Sequence, residues 1–303
     1  MATRRDMLKC GALGAAGSAF GLAAPALAQP AKSKITIPDP ISNEERAVRI
    51  QSAQSLMQAQ GFGAIVIEAG TSMLYFSGLA WRQSSRLTAL VIPAEGDPVV
   101  ITPAFEESKL AELMIMPMEV RTWDEHESPT ALIASVLDDR KAKGPIGLER
   151  TTRYFVAEGL RRDAPSRKVV SATPIVAALR QIKSPREIEL MQAASDITMQ
   201  AYRDIYPQVT AGMTGRDISM LMTEATRSYG ARPTFALALV SEASAYPHGS
   251  KKVHEVAEGE VVLMDCGCDV HGYKSDISRT WVHGGANPEQ RRVWNTVRKG
   301  QDI

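Results

Sequence analysis

Two aspartates, Asp265 and Asp276, carry the most specific chemistry in this chain. Asp265 closes the apolar run Val261-Val262-Leu263-Met264 and is followed by Cys266-Gly267-Cys268. Asp276 stands just before a second strand-like run, Ile277 to His283, beyond the polar stretch Asp269-Val270-His271-Gly272. Two such runs around a glycine-containing turn predict a β-hairpin. With the turn centred between Val270 and His271, Asp265 lies opposite Asp276 on one face, Cβ atoms about 4.5–5.5 Å apart. Like charges so placed repel, unless a cation lies between them or one carboxyl is protonated. Asp265 also follows four apolar residues, which predicts partial burial, and a hard cation is a natural compensation for a buried carboxylate. The alternative is a carboxylate paired with Arg279 or Lys274, or ordinary surface aspartates. A one-residue slip of register would break the facing pair.

The other candidates are poorer on their own residues. His248 follows a proline and precedes a Gly-Ser pair, a loop position open to function but not requiring it. His126 lies in a polar stretch and reads as solvated; His254, His271 and His283 read as surface or turn positions. Cys266 and Cys268 are too close in sequence for a relaxed disulfide along one strand, where alternate residues are about 7 Å apart. A lone C-x-C also lacks the second ligand pair of a zinc site. Small, buried strand residues are the better reading.

The elements that must hold the two aspartates belong to the second of two domains. At 303 residues, 44% hydrophobic and 23% charged, the chain suits two globular domains. A net charge of +1 gives no electrostatic case for nucleic acid as a partner. In residues 29–178, Ser42-Asn43-Glu44-Glu45 is a capping box for a helix ending at Gly61. Strands are expected at Ala64–Ile67, Thr88–Ile92, Val99–Thr102, Ile146–Leu148 and Lys168–Val170, with helices near Glu106–Met114 and Thr152–Arg162. The alternation predicts an α/β domain without a phosphate-binding glycine loop. In residues 179–303, Ser184-Pro185-Arg186-Glu187 caps a helix to about Tyr206 that buries Ile188, Met191, Ile197 and Tyr202. A second helix with Ile218, Leu221 and Met222 follows. Strands at Thr234–Val240, Val261–Cys268 and Ile277–His283 then complete an α+β pattern.

The first 28 residues read as an export signal. Arg4 and Arg5 open a basic segment, Gly11 to Leu22 is a short apolar run, and Ala26-Leu27-Ala28 is a small-residue cleavage site. The paired arginines resemble the twin-arginine type, so a periplasmic or secreted protein is expected, with no membrane anchor after cleavage.

With these residues in view, Gly259 to Gly267 and Gly272 to Thr280 resemble the first metal motif of the pita-bread metallopeptidases, the aminopeptidase P, prolidase and creatinase-like family. Ala245-Tyr246-Pro247-His248 resembles the motif carrying their substrate-side histidine. Ile182 to Ile188 resembles the start of their catalytic domain, and Asn43 to Gly61 and Met73 to Gly78 resemble the creatinase-type N-terminal domain. The resemblance implies a site for two divalent metal ions (manganese, cobalt, iron or zinc). Asp265 would hold one metal and Asp276 would bridge both, around a shared hydroxide that attacks a polarised carbonyl. His248 would hydrogen-bond the substrate or the tetrahedral intermediate. The implied activity is cleavage before proline in a peptide, with a homodimer in the full-length protein. Retention of both aspartates argues against the metal-free creatinase chemistry. Ectoine hydrolase, dimethylsulfoniopropionate lyase and a non-catalytic binding protein on the same scaffold are the other readings. The family's remaining His and two Glu ligands come well beyond the hairpin, whereas only His283 and Glu289 follow Thr280 as candidates. The sequence therefore reads as the first part only of the catalytic domain, and the 303-residue chain is expected to be inactive by itself.

Overall fold

The computed structural model describes residues 35–303. The expected export signal and its cleavage site after Ala28 lie outside the described residues. The first helix, α1 (Asn43–Gln60), starts where the sequence says it must. The Ser42 side chain accepts from the Glu45 amide while the Glu45 carboxylate accepts from the Ser42 amide, and Gly61 ends the helix at φ 73°.

Six strands follow: β1 (Ala64–Glu68), β2 (Ala89–Pro93), β3 (Val99–Pro103), β4 (Glu119–Trp123), β5 (Ile146–Leu148) and β6 (Val169–Ser171). They form one mixed sheet in the order β4-β3-β2-β1-β5-β6. The first three are buried at every position, which is why they read as unbroken apolar runs. Ile65, Ile67, Leu90 and Ile92 face α1, α2 (Thr71–Ser77), α3 (Glu107–Leu113) and α6 (Thr173–Gln181). Val66, Val91 and Ile101 face α4 (Pro129–Asp139) and α5 (Tyr154–Asp163). The expected α/β domain is thus a three-layer sandwich.

Four of its elements were not anticipated. Helix α2 is one short segment whose N-cap, Gly70, offers no side chain, and β4 buries only Trp123. Helix α6 starts from Ala172 without a side-chain cap. Helix α4 was legible, because Ser128-Pro129 is the same Ser-Pro start as Ser184-Pro185 and the Ser128 hydroxyl accepts from Ala131 N.

The second part opens with α7 (Pro185–Ile205), capped reciprocally by Ser184 and Glu187. Its buried stripe is Leu190, Ala194, Ile197, Ala201, Tyr202 and Ile205. Ile197 and Tyr202 were expected there. Ile188 and Met191 are instead exposed: Ile188 falls off the three- and four-residue spacing of the stripe, whereas Met191, three residues before Ala194, lines an open cleft at the start of the helix. Helix α8 (Gly215–Ser228) and strands β7 (Arg232–Val240), β8 (Val261–Val270), β9 (Tyr273–Lys274) and β10 (Ile277–Val282) complete the α+β layer, followed by α9 (Pro288–Gln301). The sheet is antiparallel, with β8 between β10 and β7. Val262, Met264 and Cys266 pack against Ala201, Tyr202, Ile218 and Met222 from the two helices. The alternate residues Val261, Leu263 and Asp265 point to the opposite face and are half-buried.

Gly267 lets two strands and an aromatic ring approach that opposite face. A Cβ there would strike the Ser275 carbonyl oxygen and come within 2.7 Å of the Phe235 ring. Gly267→Ala is expected to lower stability by about 1–3 kcal/mol, the usual cost of overpacking. Urea unfolding measures this, and an unchanged midpoint would mean that the strands part freely at this point.

Candidate metal site

The hairpin that carries both aspartates turns at His271-Gly272. Strand β8 pairs with β9 through Asp269↔Lys274 and Val270↔Tyr273, leaving those two residues as the loop. Both have positive φ, 50° and 92°, the pattern of a type I′ turn, whose twist matches that of the strands. Histidine tolerates the left-handed region better than most residues, and glycine adopts it freely.

This turn lies one peptide bond beyond the expected centre, and the correction matters. Asp265 faces Ser278, not Asp276. In the same register Asp276 falls beside Gly267, on the same face as Asp265. The two aspartates are diagonal neighbours, a relation that puts Cβ atoms about 7 Å apart in a regular sheet. Direct opposition of like charges is therefore avoided, while both carboxylates still serve one surface.

Asp265 is set by its neighbours Met264 and Cys266, both buried under α7 and α8. It receives one hydrogen bond, from the Ser278 hydroxyl at 2.8 Å. Asp276 is exposed, yet the residues on both sides of it are fixed. Ser275 is buried, lies 2.7 Å from the Thr198 hydroxyl and accepts from the Cys268 amide at 3.0 Å. The Ile277 carbonyl accepts from the Tyr202 hydroxyl at 2.7 Å. Burial holds the Tyr202 phenol well above the ordinary tyrosine range, so it remains a donor.

The basic residues that could have neutralised this pair do not. Lys274 lies 3.4 Å from Asp269, which Arg232 also reaches at 3.1 Å. Arg279 donates to the Ser278 carbonyl and to the Met199 sulfur. Among the described residues Asp276 has no hydrogen bond or ion pair through its carboxylate, and Asp265 has only Ser278.

The donor set suits hard divalent cations, since it consists of two unpaired carboxylates on one face. Among the described residues no third His, Cys, Asp or Glu joins them in a cluster that could hold an ion. Cysteine does not contribute. Cys266 and Cys268 are free and buried as expected, and burial pushes the Cys266 thiol up to about 11, which keeps it protonated.

His248 is exposed in a turn after β7, closed by a Gly249 amide bond to the Tyr246 carbonyl at 3.0 Å. It makes no hydrogen bond or ion pair among the described residues. The turn lies against the aspartate face of the sheet, where a Cβ on Gly249 would be 2.9 Å from Leu239 Cδ2. The sequence singles out Asp265, Asp276 and His248, and Tyr202 as a buried helix position, but not the part that Thr198, Tyr202 and Ser275 play in holding the hairpin in place.

Comparison with known proteins covers both halves of the chain. Residues 189–303 match the model described as Metallopeptidase family M24, and residues 49–182 match the Creatinase/Prolidase N-terminal domain. The chain is 30% identical over 283 residues to an uncharacterized peptidase of Schizosaccharomyces pombe, covering 86% of this chain and 60% of that protein. It is 25% identical over 257 residues to the Xaa-Pro dipeptidase of Pyrococcus furiosus, covering 84% of this chain and 70% of that protein. In fold it is similar to a prolidase from Thermococcus sibiricus, with a TM-score of 0.76 at 23% identity, over 87% of this chain and 72% of that one. The chain thus spans 60% to 72% of the length of these proteins.

Tyr202→Phe removes the donor from a carbonyl held under the helix layer. The expected cost is about 1–3 kcal/mol, that of leaving a buried acceptor unsatisfied. It should appear as a lower denaturant midpoint and faster amide exchange at Ser275 to Ser278. Exchange equal to wild type would show that the hairpin arm does not depend on this bond.

Proposed function

Because the chain belongs to metallopeptidase family M24, the pita-bread peptidases, and carries their creatinase/prolidase N-terminal domain, we propose that the protein is a metal-dependent hydrolase that cleaves the bond before proline, an Xaa-Pro dipeptidase or aminopeptidase. The observation that carries the reading is the pair Asp265 and Asp276, on one sheet face and without a basic partner while Lys274 and Arg279 are engaged elsewhere. The relative named Xaa-Pro dipeptidase supports the substrate class.

Divalent cations held by these carboxylates would supply Lewis-acid polarisation of the scissile carbonyl and an acidified water. The chain's own contribution is placement. Asp265 brings one carboxylate from the central strand, oriented by the Ser278 hydroxyl. Asp276 brings a second, on a backbone fixed from both sides by Thr198 and Tyr202. His248, exposed on its turn, has a ring N–H free for a substrate carbonyl or the charge that develops on it.

Asp265→Asn and Asp276→Asn are each expected to lower bound manganese, measured by elemental analysis. In a protein of its relatives' length they should also remove hydrolysis of an Xaa-Pro dipeptide. His248→Ala should lower turnover while leaving metal stoichiometry near wild type. Full metal loading and normal rates in both aspartate variants would rule out the assignment.

We also propose that the protein is exported by the twin-arginine route, on the strength of Arg4, Arg5 and the Ala26-Leu27-Ala28 cleavage site. Arg4→Lys combined with Arg5→Lys is expected to leave precursor in the cytoplasm. Fractionation and blotting read the outcome, and unchanged periplasmic appearance would contradict it.

A further inference from the structure

A cleft of about 350 Å³ lies where α1 and α2 meet the start of α7 and the tip of the hairpin. Arg46, Arg49, Arg180, Lys183 and Lys274 line it, and Glu187 is the one carboxylate in the lining. Each charge can be accounted for in turn. Glu187 is committed twice: one oxygen caps the Ser184 amide at 2.8 Å, and the other accepts from the Tyr273 hydroxyl at 2.9 Å and lies 3.5 Å from Arg49. Arg49 is committed to that carboxylate, to the Tyr273 hydroxyl at 3.1 Å and to the Tyr75 carbonyl at 2.9 Å. Arg180 donates to Ser72 at 2.7 Å and lies 3.7 Å from Glu149, while Lys274 is paired with Asp269.

Arg46 and Lys183 remain. The Lys183 ammonium is exposed and reaches only the carbonyl of nearby Gln181, at 3.2 Å. Arg46 is 6% exposed. It donates to the Ile41 carbonyl, its Nε beside Gly78 has no acceptor, and no carboxylate lies within ion-pair distance among the described residues. Burial, reinforced by the neighbouring Arg49 charge, pulls its pKa below the ordinary arginine range. The adjacent Glu45 offsets this only in part and makes no ion pair with it, and a buried guanidinium short of a direct counter-charge is costly, a fully paired one much less so.

We propose that this cleft is a binding site for a small oxyanion, a carboxylate or phosphate group, whose charge is matched by Arg46 and Lys183. The volume suits a small molecule, and guanidinium and ammonium groups are the usual donors to both chemistries. The ligand would contact α1 on one side and the hairpin tip on the other. This site is separate from the two aspartates and stands whether or not they hold metal.

The test is thermal unfolding and calorimetric titration of the 303-residue chain in metal-free buffer, with inorganic phosphate, with succinate and with sodium chloride at equal ionic strength. A saturable rise in Tm with phosphate or succinate, absent with chloride, is expected, and the anion that saturates at lower concentration identifies the chemistry. Lys183→Ala, at an exposed position, should weaken binding about tenfold, the loss of one charge-assisted contact. Arg46→Met, where it folds, should abolish it. Asp265→Asn and Lys299→Ala should bind as wild type does. Phosphate and succinate no more stabilising than chloride, or binding unaffected by Lys183→Ala, would overturn the proposal, as would loss of binding in Asp265→Asn.

Discussion

The placement of Asp276 depends on hydrogen bonds that Asp276 does not make. Thr198 and Tyr202, one turn apart on α7, hold the hydroxyl of Ser275 and the carbonyl of Ile277. These contacts lie under the sheet, where an unsatisfied polar group costs about 1–3 kcal/mol. A shift of the strand by one residue would orphan them and would also bring Asp276 round to the helix side. Register and carboxylate direction are therefore fixed by the same contacts.

The same helix is held at its start. Glu187 divides its two oxygens between the capping box of α7 and the Tyr273 hydroxyl. Arg49 of α1 joins the second oxygen and also the Tyr75 carbonyl. Three elements distant in sequence thus converge on one side chain. At the hairpin tip Gly272 comes so close to α2 that a Cβ would lie 2.6 Å from Leu74 Cδ2. The hairpin is gripped at its tip by the first domain and at its arm by the middle of α7, which leaves little freedom for the segment that carries both aspartates.

What could be read from the sequence follows how local each cause is. The capping boxes at Ser42 and Ser184 need only four consecutive residues, and both helices begin where expected. The hairpin and its two aspartates were legible for the same reason. Its register was misjudged because the turn was centred one peptide bond too early. A signal was present, since His271-Gly272 is the one pair able to supply two positive φ angles cheaply. Thr198 and Tyr202 could not have been found this way. Their partners are 77 and 75 residues away, and mid-helix Thr and Tyr read only as helix surface or core. Ile188 is exposed because of its phase on α7, and Met191, in phase with Ala194, because it borders an open cleft that no local pattern reveals.

The contrast among the aspartates shows what kind of surface this is. Asp269, four residues along β8 from Asp265 and of the same parity, attracts Arg232 and Lys274, and its other oxygen caps the Gly272 amide at 2.9 Å. It is a structural carboxylate with every need met at the hairpin tip. Arg279 is close enough in sequence to serve Asp276 in the same way, but three residues along a strand is an odd step. Parity therefore sends Arg279 to the helix side, where it meets Met199, while Asp276, Ser278 and Thr280 share the other face with Asp265. The shortage of positive charge around Asp265 and Asp276 is not a shortage of basic residues. Parity keeps Arg279 off this face, and Asp269 engages Arg232 and Lys274 at the hairpin tip, so Asp265 and Asp276 are left without a basic partner.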